Sequence, residues 1–251
     1  MSFAERYGPW AVVVGASEGI GASVARQLGE RGIDVVLVAR RQAALEEVAA
    51  TVATSTRILT LDLSEPGADA ALAEATADLD VGLVIYNAGA DPNQSTFLEK
   101  PLAVWEELVR RNCNAVLGVA HRFGERLVRR GRGGLVLVTS GAAWAGGSHV
   151  AAYSASKAFD LNLGESLWAE LRPHGVDVLS MVLGMTDTPA LRRLLRDREV
   201  EGMADPDDVA RDMLDHLGEG PTWPPDATPF GGLPRRQAVE LMSAGSAFLA
   251  E

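Results

Sequence analysis

Short apolar runs alternate with amphipathic stretches along most of the chain. Ala11 to Gly15 (AVVVG) is apolar, rich in β-branched residues and closed by glycine, the pattern of a strand buried on both faces. From Ile20 to Glu30 the period changes, and Ile20, Val24 and Leu28 fall on one helical face. After Gly32 the exchange repeats: IDVVLVAR predicts a strand, Arg41 to Ala53 a helix, RILTLDL a third strand and Ala68 to Ala77 a helix. VGLVIYNAG, GGLVLVTSG and GVDVLSMVLG predict three further strands. A long helix from about Leu102 to Arg129 and a helix over YSASKAFDLNLGESLWAEL separate them. This alternation predicts an α/β fold, a doubly wound and mostly parallel sheet with helices on both faces. No repeat, low-complexity tract or Pro/Gly linker divides the chain before about Thr186, so a single domain over residues 1–251 is expected.

Beyond Thr186 the pattern loosens. Pro189 to Arg198 is a basic helical stretch carrying Leu191, Leu194 and Leu195, which suit either the inner face of a lid or a plain core-covering helix. DPDDVARDMLDHL reads as a helix capped near Asp205, and GPTWPPDATPFGGLP as a proline-rich loop before a final short helix. Segments of this kind over a parallel sheet close the core or cover a pocket, and residues 186–220 are the expected substrate-covering segment.

Composition narrows the partners. At 251 residues and 47% hydrophobic content the chain can bury one sizeable core. The net charge of −11 disfavours nucleic acid and anionic membrane surfaces and leaves small molecules as the expected ligands. Cys113 is the single cysteine, which excludes an intrachain disulfide and a multi-cysteine metal site, and the four histidines do not cluster, so no metal is expected. MSFAERYGPW lacks a secretory apolar core and no run reaches membrane-spanning length, which points to a reducing cytoplasm.

Three glycines, Gly15, Gly19 and Gly21, follow the first strand and open the first long helix, with Ser17, Glu18 and Ile20 between them. Alone they would serve a tight turn. Between a strand and a helix, their missing side chains also let a pyrophosphate approach the backbone and the helix N-terminus. The second strand ends in Ala39-Arg40-Arg41, where an NAD site would place a carboxylate for the ribose 2′-hydroxyl. Guanidinium forks bind a 2′-phosphate, so NADP(H) is favoured over NAD(H); a pair of solvated surface arginines is the alternative.

Tyr153 and Lys157 are four apart on one helical face, which alone would suit an amphipathic helix with a half-buried tyrosine and a surface lysine. A free tyrosine titrates near ~10, and a cation beside it favours the phenolate, which suits proton exchange near neutrality. Ser140 ends the fifth strand in VLVTSG, where ligands of open parallel sheets bind, and its hydroxyl suits either a substrate carbonyl or a turn cap.

With GASEGIG, Asp62, Asn87-Ala88-Gly89, Asn112, Ser140, Tyr153, Lys157 and LGMTDTP in this order, the chain resembles the short-chain dehydrogenase/reductases over about Trp10 to Pro189. The resemblance implies a Rossmann fold binding a nicotinamide dinucleotide. It also implies Tyr153 as general acid/base, Ser140 holding the substrate oxygen, and Lys157 supporting the tyrosine and binding the nicotinamide ribose. Asn112, with Asn114 close by, would sit in a kinked helix and order a water. Asp62 and Leu63 would flank the adenine, Asn87, Ala88, Gly89 and Gly184 would line the cofactor, and Thr186 and Thr188 would reach the nicotinamide amide and phosphates. Three positions depart from the family pattern: Glu18 stands where NADP-dependent relatives often carry a basic residue, Leu183 replaces a proline, and the usual C-terminal Asp-Gly-Gly is missing.

Trp144, His149 and Met185, with Val150, are the expected substrate wall, suggesting a lipophilic ketone or alcohol. His121, His174 and His216 read as surface or capping residues. The family resemblance implies a homodimer or homotetramer through Val109, Val116 and the helix at Leu161 to Trp168, although these residues also suit packing on the sheet. A cofactor-binding sensor, and an isomerase or dehydratase that recycles the cofactor, are the competing functions on the same scaffold.

Overall fold

The computed structural model describes residues 1–196 and 198–224, together with residues 241 and 245. Seven strands, β1 (Trp10–Val14), β2 (Asp34–Ala39), β3 (Thr56–Thr60), β4 (Val81–Tyr86), β5 (Gly133–Ser140), β6 (Val176–Leu183) and β7 (Thr222–Trp223), form one parallel sheet. Their order is β3-β2-β1-β4-β5-β6-β7. The helices between them are α1 (Phe3–Tyr7), α2 (Gly19–Glu30), α3 (Gln42–Ala49), α4 (Ala68–Ala75), α5 (Leu102–Val109), α6 (Ala115–Arg130), α7 (Ala151–Leu171), α8 (Pro189–Leu195) and α9 (Pro206–Asp215).

β1, β4 and all of β2 after Asp34 are apolar without a break because both sides of the sheet are covered there. In β1, Ala11 and Val13 enter a layer closed by α2, α3 and α9, whereas Val12 and Val14 enter the opposite layer beneath α4 and α6. The same alternation runs through β2, β4 and β5. Each such valine or leucine, fully removed from water, contributes ~1.5–3 kcal/mol relative to an exposed one. Because β1 lies between β2 and β4, the order of strands reverses between β1 and β4, and in such sheets ligands bind outside the carboxyl ends of the two strands at that point. This is the doubly wound Rossmann arrangement.

Three details differ from the sequence reading. The helix expected from Leu102 to Arg129 is broken by a π-helical turn, Arg110–Asn114, between α5 and α6. RILTLDL is strand only as far as Thr60, leaving Asp62 and Leu63 in the following loop. α1 was not anticipated: Ser2 and Glu5 close a capping box at its start, and Arg6 and Tyr7 both donate to the Asp177 carboxylate of β6. β7 lies within GPTWPP and pairs Thr222 with Ser180. The rest of the proline-rich loop, and the final short helix apart from residues 241 and 245, lie outside the described residues. No helix among the described residues is long and apolar enough to cross a membrane.

Candidate active site

The glycine turn is shaped by close approach. Gly15 has φ +88°, and a Cβ there would stand 2.8 Å from the Ala88 backbone nitrogen. At Gly21 a Cβ would meet the Gly15 carbonyl oxygen at 2.1 Å, so the first turn of α2 rests directly on the loop. Asn87 Nδ2 donates to that same carbonyl at 3.1 Å, tying the end of β4 to the end of β1. Glu18 is the N-cap residue of α2, but its side chain makes no capping bond. The amides of the first turn, beside Gly19, Ile20 and half-buried Ser17, therefore have no side-chain acceptor among the described residues, the kind of helix start that suits an anion such as a pyrophosphate. The loop after β6 reaches this turn: a Cβ on Gly19 would lie 2.9 Å from Thr188 Cγ2. Thr186 is buried beside it and Gly184 is exposed.

At the end of β2, Arg40 and Arg41 are exposed but engaged. Arg41 donates to Glu18 at 2.6 Å, and Arg40 stands 3.8 Å from Asp62. Glu18 also accepts from both guanidinium nitrogens of Arg193, on α8. Burial opposes ionisation of Glu18, yet the bonds from Arg193 and Arg41 outweigh it and hold the carboxyl below its usual range. Asp62 behaves similarly: burial pushes it up, and the Ser64 amide and hydroxyl, with the Arg40 and Arg111 charges, bring it below normal. Leu63 is buried next to it.

The other end of the crevice is built on α7. Lys157 is buried, and its Nζ donates to the Val138 carbonyl and to Asp160 Oδ2, each at 2.9 Å. The ammonium lies 6.0 Å from the Tyr153 ring centroid. A Cβ on Gly89 would come within 2.7 Å of Nζ, so a side chain there would crowd the ammonium. Asn112 is fully buried in the π turn, donating to the Gly89 carbonyl at 3.2 Å and to Ser156 Oγ at 3.1 Å. Asn114 is exposed, which separates the two asparagines. The π turn supplies the kink expected of this helix and swings Asn112 towards α7.

Ser140 ends β5, and its Oγ accepts from the Ala142 amide at 3.2 Å, capping the 3₁₀ turn Gly141–Trp144. The turn-cap reading therefore holds at the same strand end where a substrate oxygen would lie. Trp144 is half-buried on that turn, His149 has φ +65° with its ring 3.2 Å from Ser148 Oγ, and Met185 is exposed after β6. Val150 is buried. Of the residues considered for contacts between subunits, Val116 and Leu161 are buried against the sheet, whereas Val109 is exposed. Cys113 is half-buried, and burial pushes its thiol up to about 11, so it is a poor nucleophile. Among the described residues no group of three His, Cys, Asp or Glu is placed to hold a metal.

Two charged partners escaped the sequence reading. Asp160 lies three positions after Lys157 on the same helical face, a spacing that signals contact. Arg193 meets Glu18 only because α8 folds back over the glycine turn, and no local pattern announces it.

A doubly wound parallel sheet with a glycine turn and uncapped helix amides after β1, and a buried lysine beside a tyrosine on α7, is an arrangement that dinucleotide-dependent oxidoreductases use. Comparison with known proteins agrees: residues 9–199 match the short chain dehydrogenase family. The chain belongs to this family of dehydrogenases and reductases. It is 35% identical over 229 residues to the 7beta-hydroxysteroid dehydrogenase of Clostridium sardiniense, covering 89% of this chain and 87% of that one. A solved structure from a study of 7beta-hydroxysteroid dehydrogenase stereoselectivity superposes with a TM-score of 0.84 at 25% identity, over 96% of this chain and 99% of the other. A short-chain dehydrogenase from Sphingobium yanoikuyae in complex with NADPH gives 0.78 at 29% identity, over 88% and 89%.

Proposed function

We propose that this oxidoreductase moves a hydride between NADP(H) and a lipophilic carbonyl or secondary alcohol, with Tyr153 as the general acid/base. The observation that carries the reading is the buried Lys157 ammonium, 6.0 Å from the Tyr153 ring and pressed against the glycine of the Asn87-Ala88-Gly89 loop. The bound nicotinamide supplies the hydride itself. In reduction, negative charge grows on the substrate oxygen; the Tyr153 and Ser140 hydroxyls stabilise it as it develops, and Tyr153 delivers its proton there. Lys157 favours the phenolate left behind and binds the nicotinamide ribose, while Asn112 holds the Gly89 carbonyl and α7 in register. The amides of Gly19 to Gly21 take the pyrophosphate, and Asp62 and Leu63 border the adenine.

Arg40 and Arg41 take the 2′-phosphate, which favours NADP(H). The NADPH complex of the Sphingobium relative supports this. The hydroxysteroid dehydrogenase relative supports a bulky apolar substrate, which Trp144, Val150 and Met185 would flank under the segment 186–220. The test is NADPH consumption by the purified protein against hydroxysteroid-type and simpler ketones. Turnover that is faster with NADPH than with NADH supports the proposal. Tight NADPH binding without turnover on any of them would replace it with a cofactor sensor. Product formed without net NADPH loss would replace it with an isomerase or dehydratase.

A further inference from the structure

Asp160 has no part in the chemistry described so far, yet it is one of the most deeply buried charges among the described residues. Its Oδ2 receives the Lys157 ammonium at 2.9 Å, both side chains are almost wholly withdrawn from solvent, and Oδ1 finds no hydrogen-bond partner among the described residues. A buried ion pair of this kind is a weak source of stability, because desolvation offsets most of the Coulomb gain and an apolar side chain of similar volume packs as well. A role for its charge explains the pair better.

Among the described residues, Asp160 bonds Lys157 on its own helix α7, and its charge also bears on Tyr86 at the end of β4 and on Cys113 of the π turn. Burial raises both Tyr86 and Cys113 above their ordinary values, and the Asp160 charge is the next cause in each. For Tyr86 the Arg111 cation works in the opposite sense, as Lys157 does for Cys113. The Asp160 carboxyl is itself raised by burial and drawn back by Lys157. The lysine that this carboxylate holds at 2.9 Å is the one whose ammonium lies 6.0 Å from the Tyr153 ring.

We propose that Asp160 is a positioning residue for the reaction: its carboxylate anchors the Lys157 ammonium, cancels part of its charge, and so sets the pH range in which the Tyr153 hydroxyl exchanges its proton. The proposal rests on Tyr153 being the acid/base. Its sign is definite. Negative charge near Tyr153 disfavours the phenolate, so removing it lets alcohol oxidation, which needs the phenolate, proceed at lower pH.

The test is the pH profile of kcat/KM for alcohol oxidation in the wild type, Asp160→Asn, Asp160→Ser and Asp160→Glu, with NADPH affinity measured alongside. Asp160→Asn keeps an acceptor oxygen and removes the charge. Its rising limb is expected to move to lower pH by about one unit, roughly tenfold in rate at a fixed pH on that limb. Asp160→Ser should move the same way and carries the readout if the asparagine variant does not fold. Asp160→Glu should leave the limb near its wild-type position, and NADPH affinity should change less than about threefold in each. A folded, active Asp160→Asn enzyme with an unmoved limb, or a loss uniform across pH, would overturn the proposal. So would failure of both uncharged variants to fold, which would assign Asp160 to stability. An inactive wild type would instead remove the oxidoreductase reading of Tyr153, so the two failures are separable.

Discussion

At the β1–α2 turn the crevice is made by what residues lack: a Cβ on Gly21 would stand 2.1 Å from a carbonyl oxygen. On α7 the crevice is made by what residues carry, an ammonium and a carboxylate 2.9 Å apart and sealed from water. Backbone amides hold a phosphate with partial charges that do not titrate, so this contact is intolerant of added atoms and has no pH dependence of its own. Buried ionisable side chains are the reverse: they tolerate modest changes of shape, and respond strongly to any change of charge. A binding end built on geometry and a chemical end built on charge can therefore be damaged separately.

The largest separation is expected from Tyr153→Phe. It removes one oxygen from the charged end, and kcat for ketone reduction should fall at least about a hundredfold while NADPH affinity, followed by fluorescence titration, stays within about twofold. Equal rates would dissolve the division. Gly21→Ala is the opposite experiment. Its methyl group has no room, so the fold should lose ~2–3 kcal/mol in urea unfolding, and NADPH affinity should fall about tenfold.

Cofactor choice tests a third place, at the end of β2 on the side of the glycine turn away from α7. Replacing Arg40 and Arg41 together by alanine should weaken NADPH about tenfold or more and NADH less than about threefold, since only the first has a phosphate for the guanidinium groups. Equal losses would mean that these residues are merely surface cations. The smallest effect belongs to Glu18→Gln, which breaks contacts to the well-exposed Arg41 and Arg193. Solvent screening limits the loss to below ~1 kcal/mol. Because the folded carboxyl is held below its ordinary value of 4.5, the wild-type advantage is full above that pH and disappears as the pH falls through the lowered value. Urea unfolding of the two proteins at neutral and acid pH should show the difference close.

The same contrast explains what could be read from the residues alone. Missing side chains are visible in a sequence, so Gly15, Gly19 and Gly21 stand out, and a sheet covered on both faces writes itself as runs such as AVVVG. Tyr153 and Lys157 were legible because helical spacing places them together. The apolar pattern did not show the π turn, since one wider turn between α5 and α6 still looks like continuous helix; the kink at Asn112 was implied only by the family resemblance. The Arg193–Glu18 contact was not legible, since its partners are brought together only by the return of α8 over the glycine turn. Asp160 sits between these cases: its spacing from Lys157 was visible, but burial, which gives the pair its meaning, was not.

A crystal structure of the NADPH complex addresses the central claim most directly. The account predicts the pyrophosphate on the amides opening α2, the nicotinamide ribose on Lys157 Nζ, and the nicotinamide ring beside the Tyr153 hydroxyl. A nucleotide seated away from the Gly15–Gly21 turn, or a ring out of reach of Tyr153, would contradict it.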